Sequence, residues 1–327
     1  MKKMKRQMKT LGTGFAVSAF LACAAFQAGA ADFPTRPITI VIPYAPGGAP
    51  DLIAREMGPK LTAILGQNIV VDNKPGAGGN IGAAFVAKSA PDGYTVLMAT
   101  QPMVTINPFL FKSMGYEVKD LEPITTAVNV GLVAAVNSSN PAKNLQEFVQ
   151  FAKTNRTSYG TSGVGTPMHL AGLRLNKQTG IQMEHIAYRG AVQNITDLLG
   201  NSIQLSIVDF ATAKPFADDG KIRILGVGDK NRLPSAPNIP SLGESIPNFE
   251  ISSWFAFFGR AGTPKDVIQK LEDAMRQVLN EPGFKAKLLS RGIVSRADGS
   301  AALRKLVDDD TALFSKELRD NNVTIEQ

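Results

Sequence analysis

Ile38-Thr39-Ile40-Val41-Ile42-Pro43-Tyr44-Ala45-Pro46-Gly47-Gly48 is an apolar, β-branched run that ends in a small-residue turn, and a helical pattern opens directly after it. The run has the character of a strand buried on both faces, as parallel strands are. Three other stretches repeat the arrangement. Ile69–Asn73 leads into Pro75-Gly76-Ala77-Gly78-Gly79. Thr157–Tyr159 leads into Gly160-Thr161-Ser162-Gly163-Val164-Gly165. Met183–Tyr188 leads into Arg189-Gly190. Each junction aims unpaired backbone N–H groups and the positive end of a helix dipole at the space above a strand, which suits an anion. Two junctions come early and two late, so the chain builds the same anion-facing edge twice.

Working outward, the pattern between the junctions alternates strand and helix. A helix is expected over Asp51–Leu65, with Leu52, Ile53, Met57, Leu61, Ile64 and Leu65 on one face and Gly66 as its stop. Asn80–Ser89 is a second helix, and Pro91-Asp92-Gly93 turns into a strand at Tyr94–Thr100. This β-α-β-α-β order implies a parallel sheet with right-handed crossovers. Glu122–Asn137 is a long extended run able to cross between lobes, and Ile251–Phe258 is a candidate return crossing. The second unit places helices at Leu145–Lys153, Thr166–Lys177 and Ala191–Leu199, with strands around Ser158–Gly160, Met183–Tyr188, Ser202–Asp209 and Ile222–Val227. Arg232–Pro247 holds four prolines and reads as irregular. The C-terminal part reads as three helices. The first is expected behind a capping box of Thr263-Pro264-Lys265-Asp266, the others at Phe284–Leu289 and from Ser300 to Leu318. The fold class expected is α/β with two lobes.

The N-terminus reads as a secretory signal: Lys2, Lys3, Lys5, Arg6 and Lys9, an apolar stretch to Phe26, then Ala28-Gly29-Ala30. Cleavage is expected after Ala30. The whole chain is +7, with 35 basic and 28 acidic residues. Taking away the five basic residues of the signal leaves 30 against 28, a net +2, so basicity gives no ground for nucleic-acid binding. The single cysteine, Cys23, lies in the signal, so neither disulfides nor thiol chemistry are expected after it is removed. With two histidines and no further cysteine, a His/Cys metal site cannot be assembled, and no cofactor is expected. HExxH, GxSxG and SxxK patterns do not occur in the mature chain, and the glycine loops match neither a Walker loop nor a dinucleotide fingerprint.

The residues that can carry function cluster at the junctions, and each has a plainer reading beside it. Gly47 and Gly48 permit close backbone approach, or simply supply a turn. Thr161, Ser162 and Thr166 bring hydroxyls to one loop, with Thr166 placed as a helix N-cap, Pro167 as the first helical residue and His169 on the first turn. His185 lies inside an apolar strand, where a satisfied core histidine is the commoner outcome. Arg189 can pair with a carboxylate or be a solvated charge. Asp51 near a helix start favours the dipole or holds a ligand group. Asp209 ends a strand and faces the cleft or forms a turn.

Taken together, Arg36-Pro37-Ile38 through Pro43–Gly48 with Asp51 and Arg55, Val71-x-Asn73 to Gly82, Ala90-Pro91-Asp92-Gly93-Tyr94-Thr95, Gly160–Thr166 with His169, and Tyr188-Arg189-Gly190 resemble the Bug (Bordetella uptake gene) family, over the whole mature chain. These are periplasmic receptors of tripartite tricarboxylate transporters. The resemblance implies a type II periplasmic-binding-protein fold with two crossing strands, divided here as 31–128 plus 251–327 and 129–250. It implies a small carboxylate held between the lobes, a membrane permease as partner and a monomer. By motif, the ligand-binding positions are Tyr44, Ala45, Gly47, Gly48 and Asp51, facing Thr161, Ser162, Gly163, Thr166, His169, Tyr188, Arg189 and Gly190; Asp209 is added from its place at a strand end. Two departures stand out. Pro50 occupies a position where many relatives have Thr or Ser, removing a hydroxyl and an N–H donor. Ala187-Tyr188-Arg189-Gly190 replaces the usual Pro-Tyr-Lys-Gly, and Arg offers a different donor geometry from Lys. A hydrolase using Asp51 or Asp209 with a histidine is the rival reading; it requires His169 or His185 within about 3 Å of an acid or hydroxyl in a shared cleft. A regulator's effector domain is a weaker third, opposed by the signal and by the lack of a helix-turn-helix.

Overall fold

The computed structural model describes residues 33–324 apart from 189; the signal segment and Arg189 therefore lie outside the described residues. Strands β1 (Ile38–Ile42), β2 (Ile69–Asn73), β3 (Thr95–Thr100), β4 (Leu121–Asn137), β5 (Thr157–Thr161), β6 (Met183–Ala187), β7 (Leu205–Asp209), β8 (Ile222–Val227), β9 (Ser252–Arg260) and β10 (Ile293–Gly299) form one continuous hydrogen-bonded array. The array has two halves. In one, β1 lies between β2 and β3, parallel to both. In the other, β5 lies between β6 and β7, again all parallel. The fold is the two-lobe type II arrangement.

β4 joins the halves. At about 3.3 Å per residue its 17 residues reach roughly 55 Å. Leu121–Gly131 pair with β9, and Leu132–Asn137 pair with β7 and β8. The changeover falls at Gly131, whose N–H bonds to Gly292 O at 3.2 Å, and a Cβ there would lie 3.1 Å from that oxygen. The chain returns beside it: Gly228 N–H donates to Leu132 O and Ile251 N–H to Gly228 O.

Each half has its own core. The helix Ala49–Leu65 lays Ile53, Ala54, Met57 and Leu61 against Ile38, Ile40 and Ile42, all 0–1% exposed. A fully buried side chain of this kind contributes about 1.5–3 kcal/mol. Pro50 is tolerated in the first turn, where no N–H is needed, and Gly66 ends the helix in the left-handed region with its N–H on Thr62 O. In the other half Leu132, Ala134, Val136, Phe148, Tyr159, Leu175, Leu205 and Ile207 pack together.

Three sequence expectations need correction. Ile293–Gly299 is a strand, β10, pairing antiparallel with β4, where only helices were expected; its alternation is broken by a bulge between Ser295 and Asp298. The capping box at Thr263 does not form: Pro264 is the N-cap of the helix Lys265–Asn280, and the Thr263 hydroxyl instead donates to Arg260 O at 2.7 Å. Helices at Gln101–Thr105, Asn107–Leu110 and Phe210–Asp218 were not anticipated.

Candidate functional site

Because β1, β2 and β3 are parallel, their C-terminal ends share one edge of the sheet; so do those of β5, β6 and β7. In open α/β sheets ligands sit beyond that edge. The loops after the strands form two rims.

The first rim is Ala45–Gly48, exposed throughout. Its shape is fixed from beneath by Asp51, whose side chain is 4% exposed. One Asp51 carboxylate oxygen accepts the Gly47 N–H at 2.9 Å, the other accepts the Asn73 amide at 3.0 Å, and the Arg55 guanidinium lies 3.0 Å from both. Asn73 also donates to Tyr44 O at 3.1 Å. Arg55 is the main cause that holds the Asp51 carboxyl down at about 2; burial opposes it, and the Gly47 and Asn73 bonds add to it. Asp51 is thus a brace, with its acceptors spent inside the protein. The Tyr44 hydroxyl meets Thr100 Oγ1 at 2.7 Å. Gly48, the N-cap of the helix behind the rim, carries no side-chain cap.

Thr100 and Gln101 extend this rim and were not singled out from the sequence. They form a third strand-to-helix junction, after β3, again without a side-chain cap. Ala99-Thr100-Gln101-Pro102 holds no glycine, so the small-residue signal that marked the other junctions was missing, although Pro at the start of a helix was there to be read.

The second rim is Thr161–Thr166. Thr166 caps the helix Pro167–Thr179 by accepting the His169 N–H at 3.2 Å, as its place before Pro167 predicts. The Thr166 hydroxyl also donates to Gly163 O at 2.8 Å, and Gly165 N–H donates to His169 Nδ1 at 3.1 Å. Gly163 and Gly165 take φ of 135° and 76°, in the region open mainly to glycine. Ser162 and Gly163 are half-buried, and Val164 is exposed. Thr161 and His169 are buried.

Tyr188 lies beside this rim, but its hydroxyl donates to Asp197 at 2.7 Å. Gly190 leads the helix Ala191–Leu199 with no side-chain cap. Asp209 caps its own helix, Phe210–Asp218: one oxygen accepts the Thr212 N–H and the other the Thr212 hydroxyl, both at 2.8 Å. A carboxylate already occupies that helix N-terminus, which leaves it unsuited to a second anion. His185 approaches Thr161 Oγ1 at 2.7 Å, which meets the distance the hydrolase reading asks for. However, Thr161 is fully buried, and the ring stacked on His185 is His169, at 4.0 Å, where a triad would place an acid.

The halves touch at one side of the rims. A Cβ on Gly165 would lie 2.2 Å from Leu110 of the first half, and Ile106, Leu110, Leu170, Phe314 and Leu318 form one apolar cluster. Arg174, on the helix that carries the second rim, bonds Glu317 of the C-terminal helix Ser300–Asp320 at 2.6 Å. A groove of about 610 Å³ along this seam is lined by Arg174, Lys177 and Lys316 and by Glu250, Asp310, Glu317 and Asp320. Its mixed charge does not select an anion, and Gly47, Gly48, Ser162, Gly163 and Gly190 do not line it. Among the described residues no group of three or more His, Cys, Asp or Glu is placed to hold a metal, and no helix is long and apolar enough to cross a membrane.

Two lobes with paired anion-facing rims define an extracytoplasmic solute-binding protein. Residues 53–321 match the model of the tripartite tricarboxylate transporter family receptor, and the chain belongs to that family. It is 32% identical to a UPF0065 protein of Bordetella pertussis over 88% of this chain and 90% of that one. A UPF0065 protein of Cupriavidus necator is 34% identical over 82% of each chain. Among solved structures, the periplasmic binding protein BugD superposes with a TM-score of 0.77 at 30% identity, over 90% of this chain and all of that one. An R. palustris protein solved with adipate gives 0.82 at 28% identity, over the same shares. The family is one of solute-binding receptors, so the chain is a receptor and not an enzyme.

Proposed function

We propose that this receptor works in the periplasm, captures a small carboxylate between its lobes, and presents it in the closed form to the membrane permease of a tripartite transporter, acting as a monomer. The lobes are taken as 31–128 with 251–327, and 129–250. In this reading the main-chain amides of Ala45, Gly48, Ser162 and Gly190 cradle the carboxylate, Arg189 is a further candidate from its motif, and Gly47 and Gly163, whose amides bond Asp51 and Thr161 Oγ1, let the loops come close to it. Tyr44, Asp51, Thr161, Thr166, His169, Tyr188 and Asp209 shape the two rims.

The observation that carries the reading is the contrast among helix starts. The helices beginning at Ala49 and Ala191 have no side-chain cap, and the one acid in the first turn of the former, Asp51, is paired with Arg55, so their unbonded first amides are available at the rims. The relative solved with adipate supports a carboxylate as cargo. Closure follows only as far as the ligand binds the closed form better than the open one.

Thermal unfolding with adipate, and with a panel of mono-, di- and tricarboxylates, tests the proposal. A ligand at about a hundred times its Kd adds about 2.7 kcal/mol to stability, which raises Tm by several degrees. No rise with any acid at millimolar concentration refutes a carboxylate cargo.

A further inference from the structure

Beneath the second rim two imidazoles lie face to face. His169, on the first turn of the helix Pro167–Thr179, stacks on His185 of β6 with ring centroids 4.0 Å apart and planes 26° from parallel. Tyr159 of β5, the cross-strand partner of His185, packs against it at 5.0 Å between centroids, and its hydroxyl donates to His169 O at 3.2 Å. The helix can come this close because Gly172 has no Cβ; one built there would lie 2.0 Å from the Tyr159 ring. Each imidazole then holds the rim through one atom. Gly165 N–H donates to His169 Nδ1 at 3.1 Å, and His185 Nε2 bonds Thr161 Oγ1 at 2.7 Å. A ring nitrogen that accepts a backbone N–H cannot itself carry a proton, so this rim geometry requires neutral His169 in the Nε2–H form.

We propose that the stacked pair His169–His185 positions the Ser162–Gly165 rim and acts as its acid release: a proton on His169 Nδ1 breaks the bond from the Gly165 amide, and the rim and its cargo are let go. The second clause rests on the proposed carboxylate site; the first does not. His169 is a positioning residue here, acting on cargo through the Gly165 main chain.

The surroundings favour this behaviour. Burial lowers His169 to about 4 and His185 to about 3, and on His185 the neighbouring His169 adds to the effect of burial. The charged and titratable groups nearby are engaged elsewhere. From β5, Tyr159 is tied to the His169 carbonyl. Glu184 of β6 is exposed and pairs with Arg156. Asp209 of β7 caps its own helix. Asp197 takes the Tyr188 hydroxyl. Arg174, further along the His169 helix, holds Glu317 of the C-terminal helix. None of these carboxylates bonds to either imidazole, so among the described residues no counter-charge stabilises an imidazolium within the stack.

The test compares wild type with His169→Asn and His169→Ala. An Asn Oδ1 can take the place of Nδ1 as acceptor without titrating. The first measurement is protection of the Gly165 amide against hydrogen exchange in the ligand-free protein, from about pH 7 down to about pH 3, below the value of about 4 to which burial lowers His169. The second is adipate affinity over the same range, read as the ratio of variant to wild type so that protonation of adipate cancels. Wild-type protection is expected to fall about tenfold or more on acidification, the effect of losing one buried hydrogen bond. His169→Asn should hold its protection throughout, and His169→Ala should be low at both ends. Adipate affinity should follow the same pattern. Protection in wild type that does not change with pH, or a His169→Asn protein that loses it as wild type does, overturns the proposal. Nitrogen shifts of His169 in unmodified protein give a check that needs no variant: a protonated Nδ1 at neutral pH also overturns it. If adipate does not bind, the cargo reading is at fault, and the exchange data still decide the role of the stack.

Discussion

The two rims are the same kind of junction, a parallel strand ending in a glycine-bearing turn before a helix, yet they are held by opposite chemistry. The first hangs on a charge: Asp51 accepts from Gly47, Asn73 and Arg55 at once. The second hangs on two neutral rings and hydroxyls, with no charged partner. Acid separates them. Asp51 titrates near 2 in the folded protein and near 4 unfolded, so its contribution is complete above about pH 4 and is lost as pH falls toward 2. The histidines titrate near 4 and 3 folded and near 6.5 unfolded. The unfolded chain therefore takes up their protons first, and stability drains away from about pH 6.5 downward. As pH falls through about 4 and on toward 3 the second rim loses its His169 anchor, while Asp51, ionised until about 2, still braces the first. A symmetric fold thus carries an asymmetric response, set by which side chain lies beneath each loop.

The comparison breaks most readily at Asp51. Asp51→Ala leaves the Gly47 N–H, the Asn73 amide and Arg55 without their acceptor, and is expected to cost about 2–3 kcal/mol in urea unfolding. Exchange at Gly47 should rise at every pH, with the Gly165 amide unchanged. A loss of stability spread equally over both rims would show that they are not independent.

Gly172→Ala probes the other side. Alanine is the better helix former by about 1 kcal/mol, which alone predicts stabilisation. Here the added methyl meets the buried Tyr159 ring at 2.0 Å, and Tyr159 is itself packed on His185, so overpacking should win and cost about 1–2 kcal/mol net. The second rim should loosen at neutral pH, as acid loosens it in wild type. A stabilised variant would mean that the Tyr159–His185 stack gives way easily.

How much of this could be read from the sequence follows from range. Apolar runs, glycine stops and the long extended stretch that became β4 are local signals, and they placed both parallel units. The Thr166 cap was legible for the same reason, since its partner His169 is three residues away. β10 was not legible, because its pairing partner Val130 lies more than a hundred residues earlier and its own pattern is interrupted by a bulge. Nor were the roles of Asp51 and Tyr188. An acid at a helix start and a tyrosine at a strand end look the same whether they face a ligand or the protein; only Asn73, twenty-two residues from Asp51, and Asp197 beside Tyr188 settle where their polar atoms go. The histidine stack joins a helix to a strand sixteen residues on, and no periodicity announces it.

The smallest expected effect lies on the seam that joins the rims. Arg174 and Glu317 are 19% and 18% exposed, and Arg174 also donates to Glu250 O at 2.6 Å, next to the return crossing. Burial raises the Glu317 carboxyl even with Arg174 beside it, and its second oxygen has no partner. Much of the ion pair's attraction is therefore offset by desolvation. Glu317→Gln should be nearly neutral in stability, and Arg174→Gln, which leaves the carboxylate alone, should cost more. A double-mutant cycle is expected to give a coupling of about 0.5–1 kcal/mol. Because the pair bridges the helix that carries the second rim and the C-terminal helix of the first half, that coupling should appear in the rate of lobe opening, with exchange at Gly47 and Gly165 unchanged. Loss of protection at Gly165 in Glu317→Gln would instead make the seam, and not the histidine stack, the anchor of the second rim.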